Sequence, residues 1–370
     1  MRDYHGIIFA YISYPELREL ASVRTAASLP FCGRYRLIDM ALSSMRNAGI
    51  VDVGVVMQRD YQSLLDHIGS GKAWDMSRRT GGLRMLPPFG LPEYHTGNYN
   101  GTMEALNAVA AYIRDLTENH IVLMMGNLCA NVDLSKAIEQ HERSGADITA
   151  ICADHETAGM AHRFVVGEDG FVEKMLLYRC GEGEGVPTLE GYIIHKDTLL
   201  KLMDRCHAEH LFNFHQDALP IFFAEGGRMD VYVHPGYAQI VCSVDDYYKV
   251  NLDMLRTENR RQIFPADRPV RTKVHEEVSS YYSDKAVSRC SLVADNCIIE
   301  GELENCIVFS GARIAAGAKV KNSILMRGCN VGENAVLENM IVDKNVTVSA
   351  GTRLNGSPKL PMVVPKNIDI

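Results

Sequence analysis

The sequence predicts an α/β domain with a Rossmann-like, mixed and mostly parallel sheet, followed by a left-handed β-helix of hexapeptide repeats. Two observations carry this prediction. Residues 6–10 are an apolar run ending in a polar loop, and residues 36–48 place apolar side chains on one helical face. Towards the other end of the chain, aliphatic residues recur every six positions. In many α/β proteins, the loop between the first strand and the first helix holds a nucleotide phosphate.

The composition is that of an ordinary globular protein. The 370 residues are enough for two domains, and the net charge of −8 argues against nucleic acid as a partner. No apolar run approaches the ~18 residues of a membrane span. We therefore expect no membrane partner. The N-terminus shows no signal-peptide pattern, and the ten cysteines include no Cys-x-x-Cys pair, so we expect a reduced, cytoplasmic protein.

The elements predicted after the first helix alternate between strands and helices, as an α/β domain requires. An Asp-Gly turn in 164–174 predicts a hairpin. The glycines and prolines of 69–100 predict a long mobile loop over a cleft. The remaining predicted strands cover 51–57, 120–126, 147–153, 190–194 and 228–233, and the predicted helices cover 58–68, 101–116, 135–144, 196–206 and 213–225.

The end of the chain carries a repeat of 17 residues. Each repeat holds three aliphatic residues six positions apart, with small or polar residues between them. One inward-pointing aliphatic from each of three short strands is typical of a left-handed β-helix. The mixed charge and two prolines of 257–285 predict a linker, which gives domains at 1–256 and 286–370. The triplets are Val308, Ile314 and Val320, then Leu325, Val331 and Leu337, then Val342, Val348 and Leu354.

The segment LPFCGRYRLID at 29–39, followed by SS at 43–44 and NAGI at 47–50, resembles the start of glucose-1-phosphate adenylyltransferase. That enzyme makes ADP-glucose for glycogen and starch. The order of domains is also similar to that family along essentially the whole chain. The resemblance implies a nucleotidyltransferase fold for the first domain and a role in subunit packing for the β-helix.

The phosphate-binding loop departs from the family pattern. Catalytic members carry Gly-Gly-x-Gly-[Ser/Thr]-Arg, whose backbone N–H groups hold the ATP phosphates, and this chain has YISYPE at 11–16. Pro15 has no N–H group and Glu16 is a carboxylate, so neither suits a triphosphate. The family's phosphate-facing lysine is replaced by Ala26. In this respect the chain resembles the GlgD-type subunit that accompanies a catalytic GlgC-type subunit in some bacteria.

The resemblance also implies which catalytic positions are lost. The first Mg²⁺-binding aspartate of the family is replaced by Asn127, and the second by Ile240, in a register fixed by NLD at 251–253. The lysine that meets the sugar phosphate is replaced by Gln216. An amide is a poor Mg²⁺ ligand beside a carboxylate. We therefore expect no catalytic residue and no cofactor in this chain, with Mg²⁺ and ATP bound by a catalytic partner.

Other family positions keep residues that can bind ligands. Glu173, Lys174 and Gly191 match the sugar-phosphate site, although a solvated charged hairpin explains the first two equally well. The resemblance implies weak nucleotide contacts for Gln58, Gly101 and Thr102, for which solvated or capped helix starts are the alternative. It implies regulator binding for three arginines that ordinary surface charge would also explain: Arg24, Arg34 and Arg36.

Taken with the resemblance, these replacements predict a non-catalytic or regulatory subunit of glucose-1-phosphate adenylyltransferase. It would pair with the catalytic subunit, as a heterotetramer in the family, and respond to sugar phosphates or other anionic metabolites. The alternatives are a weakly active nucleotidyltransferase, a scaffold without ligands and a hexapeptide acyltransferase, which the lack of histidine after His275 disfavours. No metal site is predicted. A zinc site would need a second group of ligands at a suitable spacing, and none follows the group Cys206, His207, His210 and His215.

Overall fold

A computed structural model describes residues 3–87, 99–157, 161–178, 183–274 and 276–370. Its first domain is built on a central sheet of nine described strands, β1 to β9. Helices cover the sheet, and no helix among the described residues has the length and apolar character that crossing a membrane requires. The strands are β1 Tyr4–Phe9, β2 Val53–Val56, β3 Leu83–Leu86, β4 His120–Met125, β5 Ile148–Ala153, β6 Ala161–Val166, β7 Val172–Tyr178, β8 Val186–His195 and β9 Met229–His234.

The sheet is mixed and mostly parallel, as predicted. Its order is β7-β6-β8-β4-β1-β2-β3, and β5 lies between β8 and β9. The neighbours β4, β1, β2 and β3 run parallel, whereas β8 is antiparallel to both β4 and β5. The strands β1, β2 and β4 are buried on both faces, which is why they appear as largely apolar runs in the sequence.

Apolar faces pack the helices against this sheet. The best-defined helix start is Ser243, whose hydroxyl accepts from the Asp246 N–H while the Asp246 carboxylate accepts from the Ser243 N–H. The described helices are Ile38–Asn47, Gln62–Ile68, Thr102–Ala108, Ala110–Arg114, Leu134–Ser144, Lys196–Ala208, Leu219–Ala224, Val244–Asp253 and Thr257–Ile263; 3₁₀ turns lie at Pro15–Ala21, Ala26–Ser28 and Lys72–Trp74, and a π-helical turn lies at Phe214–Ala218.

The stretch 69–100 is not entirely a loop. It contains β3, which pairs in parallel with β2 at the edge of the sheet, and a 3₁₀ turn that buries Trp74. Two glycines with positive φ, Gly81 and Gly82, make the turn that leads into β3, and the Asp52 carboxylate accepts from the Gly82 N–H. The two glycines therefore form a tight turn at this point. Residues 88–98 of the predicted loop lie outside the described residues.

The repeat forms the predicted left-handed β-helix, with three parallel sheets of five short strands each. Val308, Leu325 and Val342 align in successive coils, and the other two triplet positions align in the same way. The coil strands are Tyr281–Tyr282, Val287–Arg289, Leu292–Val293, Ile298–Ile299, Glu302–Glu304, Ile307–Val308, Arg313–Ile314, Lys319–Lys321, Ile324–Leu325, Asn330–Val331, Val336–Glu338, Met340–Val342, Thr347–Val348, Arg353–Asn355 and Met362–Val364.

The stretch 257–285, expected to be a linker, has structure at both ends. Helix Thr257–Ile263 packs Ile263 into the first domain, and Tyr281–Tyr282 pairs with Ile298–Ile299 as the first strand of its coil sheet. One apolar cluster joins the two domains, because Leu17 and Leu20 share a core with aliphatic residues of the coil, Ile307, Ile324 and Ile341. The coil is therefore packed against the α/β domain.

Candidate ligand-binding sites

The two expected metal positions lie side by side. Residues Leu128–Cys129, directly after β4, pair antiparallel with Gln239–Ile240. The Asn127 amide donates to the Val241 carbonyl at 2.9 Å, and the Val241 N–H donates to the Asn127 carbonyl at 3.1 Å. The side chain of Ile240 is buried among apolar neighbours. Asn127 Oδ1 is buried without a hydrogen-bond partner among the described residues, but one neutral amide beside an aliphatic side chain does not fit Mg²⁺, which takes carboxylate oxygens.

A tyrosine occupies the space beside Asn127. Residues 11–16 contain no glycine, and Pro15, which has no N–H group, begins a 3₁₀ turn at Pro15–Ala21. The hydroxyl of Tyr14 faces the side chains of Asn127 and Cys242, and burial raises its pKa well above the usual range. Ala26 is fully buried and donates its N–H to the Ile12 carbonyl. A phenol and an apolar side chain thus occupy the positions at which the family resemblance implied a phosphate cradle and a lysine.

An open cleft of about 500 Å³ remains next to this position. It brings together the three weak nucleotide-contact residues, Gln58, Gly101 and Thr102. Gly101 must be glycine, since a Cβ there would lie 2.2 Å from the Phe212 carbonyl oxygen. The N–H of Met103 donates to the same carbonyl at 2.8 Å. The cleft therefore has the shape of a ligand site with few free charged groups.

The expected sugar-phosphate residues lie apart from this cleft. Glu173 and Lys174 are about 58% and 59% exposed, and their charged groups are 3.4 Å apart. Gly191 lies within β8 against Ile151, where a Cβ would be 3.1 Å from the nearest side-chain atom. Gln216 is exposed. Glu173, Lys174, Gly191 and Gln216 are not among the described residues that line the cleft.

The three arginines divide between two environments. Arg24 is 3% exposed and forms an ion pair with Asp343 of the coil. Its guanidinium is thus already paired within the protein, and regulator binding by Arg24 stays a prediction. Arg34 and Arg36 line a different pocket of about 250 Å³ between the α/β domain and the coil. Arg36 donates to the Ser63 hydroxyl at 2.8 Å.

We call this second pocket the interdomain basic pocket. Five basic side chains line it against three carboxylates: Arg34, Arg36, Lys273, Arg327 and Lys344 against Asp66, Glu277 and Asp295. Glu277 is already paired with Arg327 at 2.7 Å. Burial, reinforced by the charges of Arg36 and Arg24, lowers the pKa of Lys344 to about 7. The excess of cations makes the pocket suited to an anion. Only Arg34 and Arg36 of the five cations were predicted from the sequence, because the other three come from the linker and the coil.

A polar cluster beside the sheet was not predicted from the sequence. Side chains of His162, Glu190 and His215 converge there, and the two imidazole rings stack at 4.0 Å. Burial raises the pKa of Glu190 to about 7 and lowers the pKa of His215 well below its usual value. These residues are distant in sequence and follow no spacing pattern. Cys206 is buried in its helix, while His207 and His210 are exposed, and neither histidine is part of the cluster.

Comparison with known proteins agrees with this architecture. The nucleotidyl transferase family matches residues 15–164, and the GlmU-like C-terminal hexapeptide family matches residues 276–359. Glycogen biosynthesis protein GlgD of Bacillus subtilis (strain 168) is 30% identical over 365 residues, which cover 98% of this chain and 96% of that protein. Glucose-1-phosphate adenylyltransferase of Bacillus thuringiensis (strain Al Hakam) is 29% identical over 347 residues, covering 91% of this chain and 90% of that protein.

Fold and comparisons together define a nucleotidyltransferase-type domain joined to a hexapeptide coil. The similarity to GlgD extends over nearly the whole chain, and the similarity to the adenylyltransferases is almost as extensive. The chain belongs to the GlgD branch of the glucose-1-phosphate adenylyltransferase family.

Proposed function

We propose that this protein is a non-catalytic, regulatory subunit that supports ADP-glucose synthesis in glycogen biosynthesis. The observation that carries the proposal is the pairing of Asn127 with Val241 beside a buried Ile240. Adenylyl transfer brings together several negative charges, so catalysis depends on metal ions and positioned cations. Losing one such group typically costs about 10²–10³ in rate, and several are replaced here.

The proposed partner is a catalytic glucose-1-phosphate adenylyltransferase subunit, in a hetero-oligomer that is a heterotetramer in the family resembled. In this assembly the partner binds Mg²⁺ and ATP, and the location is cytoplasmic. The coil offers the packing surface that the family uses for subunit contacts. The interdomain basic pocket receives the effector, a sugar phosphate or another anionic metabolite, through Arg34 and Arg36.

The test is an assay of pyrophosphate release by each subunit alone and by the mixture. We expect no turnover by this chain alone and, for the partner, an altered rate or effector response once this chain is added. In the mixture, Arg34→Ala should weaken the effector response, whereas Arg353→Ala, on the exposed side of a coil strand, should not. An unchanged partner rate and effector response in the mixture would contradict the regulatory role.

A second candidate function is weak nucleotidyl transfer by the chain itself, which the open cleft around Gln58, Gly101 and Thr102 favours. Pyrophosphate release by the purified chain, abolished in Asn127→Ala, would support this candidate. Calorimetry with ATP, glucose 1-phosphate and fructose bisphosphate distinguishes both functions from the role of a scaffold without ligands. A scaffold would bind none of the three.

A further inference from the structure

Two histidines and a glutamate converge from three separate elements. His162 lies on β6, Glu190 on β8 and His215 in the π-helical turn Phe214–Ala218, and one ligand atom from each lies within 4.8 Å of the others. We propose that these three side chains bind a divalent transition-metal ion, with Zn²⁺ the best match. The site is distinct from the Mg²⁺ positions that Asn127 and Ile240 replace.

The donor set selects the class of ion. Two imidazoles and one carboxylate are the ligands of zinc centres that keep an open fourth position. Imidazole suits Zn²⁺, Co²⁺ and Fe²⁺, whereas Mg²⁺ and Ca²⁺ require mainly oxygen ligands. The site should therefore discriminate against Mg²⁺, even when Mg²⁺ is in large excess.

His162 supplies an independent reason for a ligand. Both of its ring nitrogens are buried, and neither has a hydrogen-bond partner within the described part of the chain. A buried polar group without a partner is rare in folded proteins, since its desolvation is not compensated. A metal ion between this ring and Glu190 would satisfy one of these nitrogens.

Backbone irregularities aim the other two donors at the same point. Glu190 has φ +54°, a conformation that non-glycine residues rarely adopt, at a register shift in the pairing of β8 with β5. The Thr188 hydroxyl accepts from the Glu190 N–H at 3.0 Å and holds this conformation. His215 lies in a π-helical turn, which is also uncommon and often found at functional sites.

Tyr192 holds His215 in place. Its hydroxyl bonds Nε2 of His215 and lies 3.3 Å from the Thr188 hydroxyl. A histidine that binds a metal usually has its other nitrogen bonded in this way. This leaves Nδ1 of His215 for the ion. The two imidazoles are now stacked at an angle of 6°, so one ring must turn about its Cβ–Cγ bond before both lone pairs converge.

The experiment uses the full-length protein after chelator treatment, titrated with ZnSO₄ in a calorimeter. We expect one Zn²⁺ per chain and no heat with MgSO₄. His162→Gln, Glu190→Gln and His215→Gln should each weaken Zn²⁺ binding by more than about 10-fold, since even outer-shell partners cost 10- to 100-fold. His210→Asn is the matched control, because this exposed histidine is near in sequence and its positive φ suits asparagine.

Two further readouts keep the proposal falsifiable if a variant folds poorly. X-ray absorption of the wild-type zinc complex should show two imidazole ligands and one carboxylate, and Zn²⁺ should raise the Tm of wild type but not of Glu190→Gln. The proposal is wrong if wild type binds no Zn²⁺, if His162→Gln and Glu190→Gln bind as tightly as wild type, or if sulfur ligands dominate the spectrum.

Discussion

Lys344 lies where the coil faces the α/β domain, in the interdomain basic pocket. Burial is the main reason that its pKa falls to about 7, and the nearby charges of Arg36 and Arg24 act in the same direction. Its charge therefore changes within the physiological pH range, unlike that of an ordinary lysine. The other titratable or charged side chains that line the pocket are Arg34, Tyr35, Arg36, Asp66, His67, Lys273, Glu277, Asp295 and Arg327.

This pKa predicts a pH-dependent affinity for anions. The ammonium form, which attracts an anion, is the minor form at pH 8 and the major form at pH 6. Because affinity scales with the fraction of the competent form, sulfate should bind up to about 10-fold more tightly at pH 6 than at pH 8. Calorimetry with sulfate measures this without interference, since sulfate itself does not titrate in that range.

Two variants assign the effect to one side chain. Lys344→Arg keeps the charge at both pH values and should bind sulfate with nearly constant affinity. Lys344→Met should bind weakly at both. If the pH dependence survives in both variants, another group in the pocket causes it, and the prediction for Lys344 fails.

At the scale of elements, the coil was predictable because each repeat obeys one simple rule. An aliphatic residue every six positions fills the interior, and asparagine or glycine with positive φ turns the chain between many strands. The strand β3 was not predictable, since four residues after a glycine pair carry too short a pattern. It exists because β2 offers an edge with which it pairs.

The candidate sites also contain some residues that could be predicted from the sequence and others that could not. The register of the resembled family assigned Asn127 and Ile240 to its two metal positions, and the structure brings the two segments side by side. The His162, Glu190 and His215 cluster was missed, because a bulge and a π-helical turn decide where the last two side chains point. Likewise, Arg24 was expected to bind a regulator, and only the packing of the coil reveals its pairing with Asp343.

The coil interior predicts a large cost for truncation. Leu337 is fully buried, in register with Val320 and Leu354 of the adjacent coils. Leu337→Ala should lower the free energy of unfolding of the coil by about 2–5 kcal/mol, because the cavity cannot collapse between two fixed neighbours. Denaturant titration followed by far-UV circular dichroism measures this loss.

The control is Lys319→Ala on the coil surface. Lys319 is exposed and pairs with Glu302 at 3.3 Å, so its loss should cost less than about 1 kcal/mol. The single tryptophan, Trp74, is buried in the α/β domain, and its fluorescence reports on that domain. Equal effects of the two substitutions would show that the coil interior is less tightly packed than the structure indicates.

At the scale of the whole molecule, the two domains are joined by a shared core and a buried ion pair. The side chains of Arg24 and Asp343 are 3% and 1% exposed. The guanidinium of Arg24 also lies 3.9 Å from the sulfur of Met326. The charges of both residues act on Lys344, which lines the interdomain basic pocket, so a change in the docking of the coil would also change the pocket that the proposed effector occupies.

Removing one partner of this pair should destabilise the docking of the coil. Arg24→Ala leaves the Asp343 carboxylate buried without a cation, which typically costs about 3–5 kcal/mol. Replacing both partners by apolar residues of similar size, Arg24→Met with Asp343→Leu, should cost much less, because no charge is then left unpaired. Denaturation followed by Trp74 fluorescence and by far-UV circular dichroism measures both.

The comparison of the two signals tests the coupling itself. If the ion pair and the shared core join the domains, the two transitions should coincide in wild type and separate in Arg24→Ala, since a two-state transition requires that both parts unfold together. Sulfate affinity should fall in Arg24→Ala and recover in part in the double variant, although neither residue needs to touch the anion. Coincident transitions in Arg24→Ala, with unchanged sulfate affinity, would mean that the apolar contacts of Leu17 and Leu20 are enough to hold the coil.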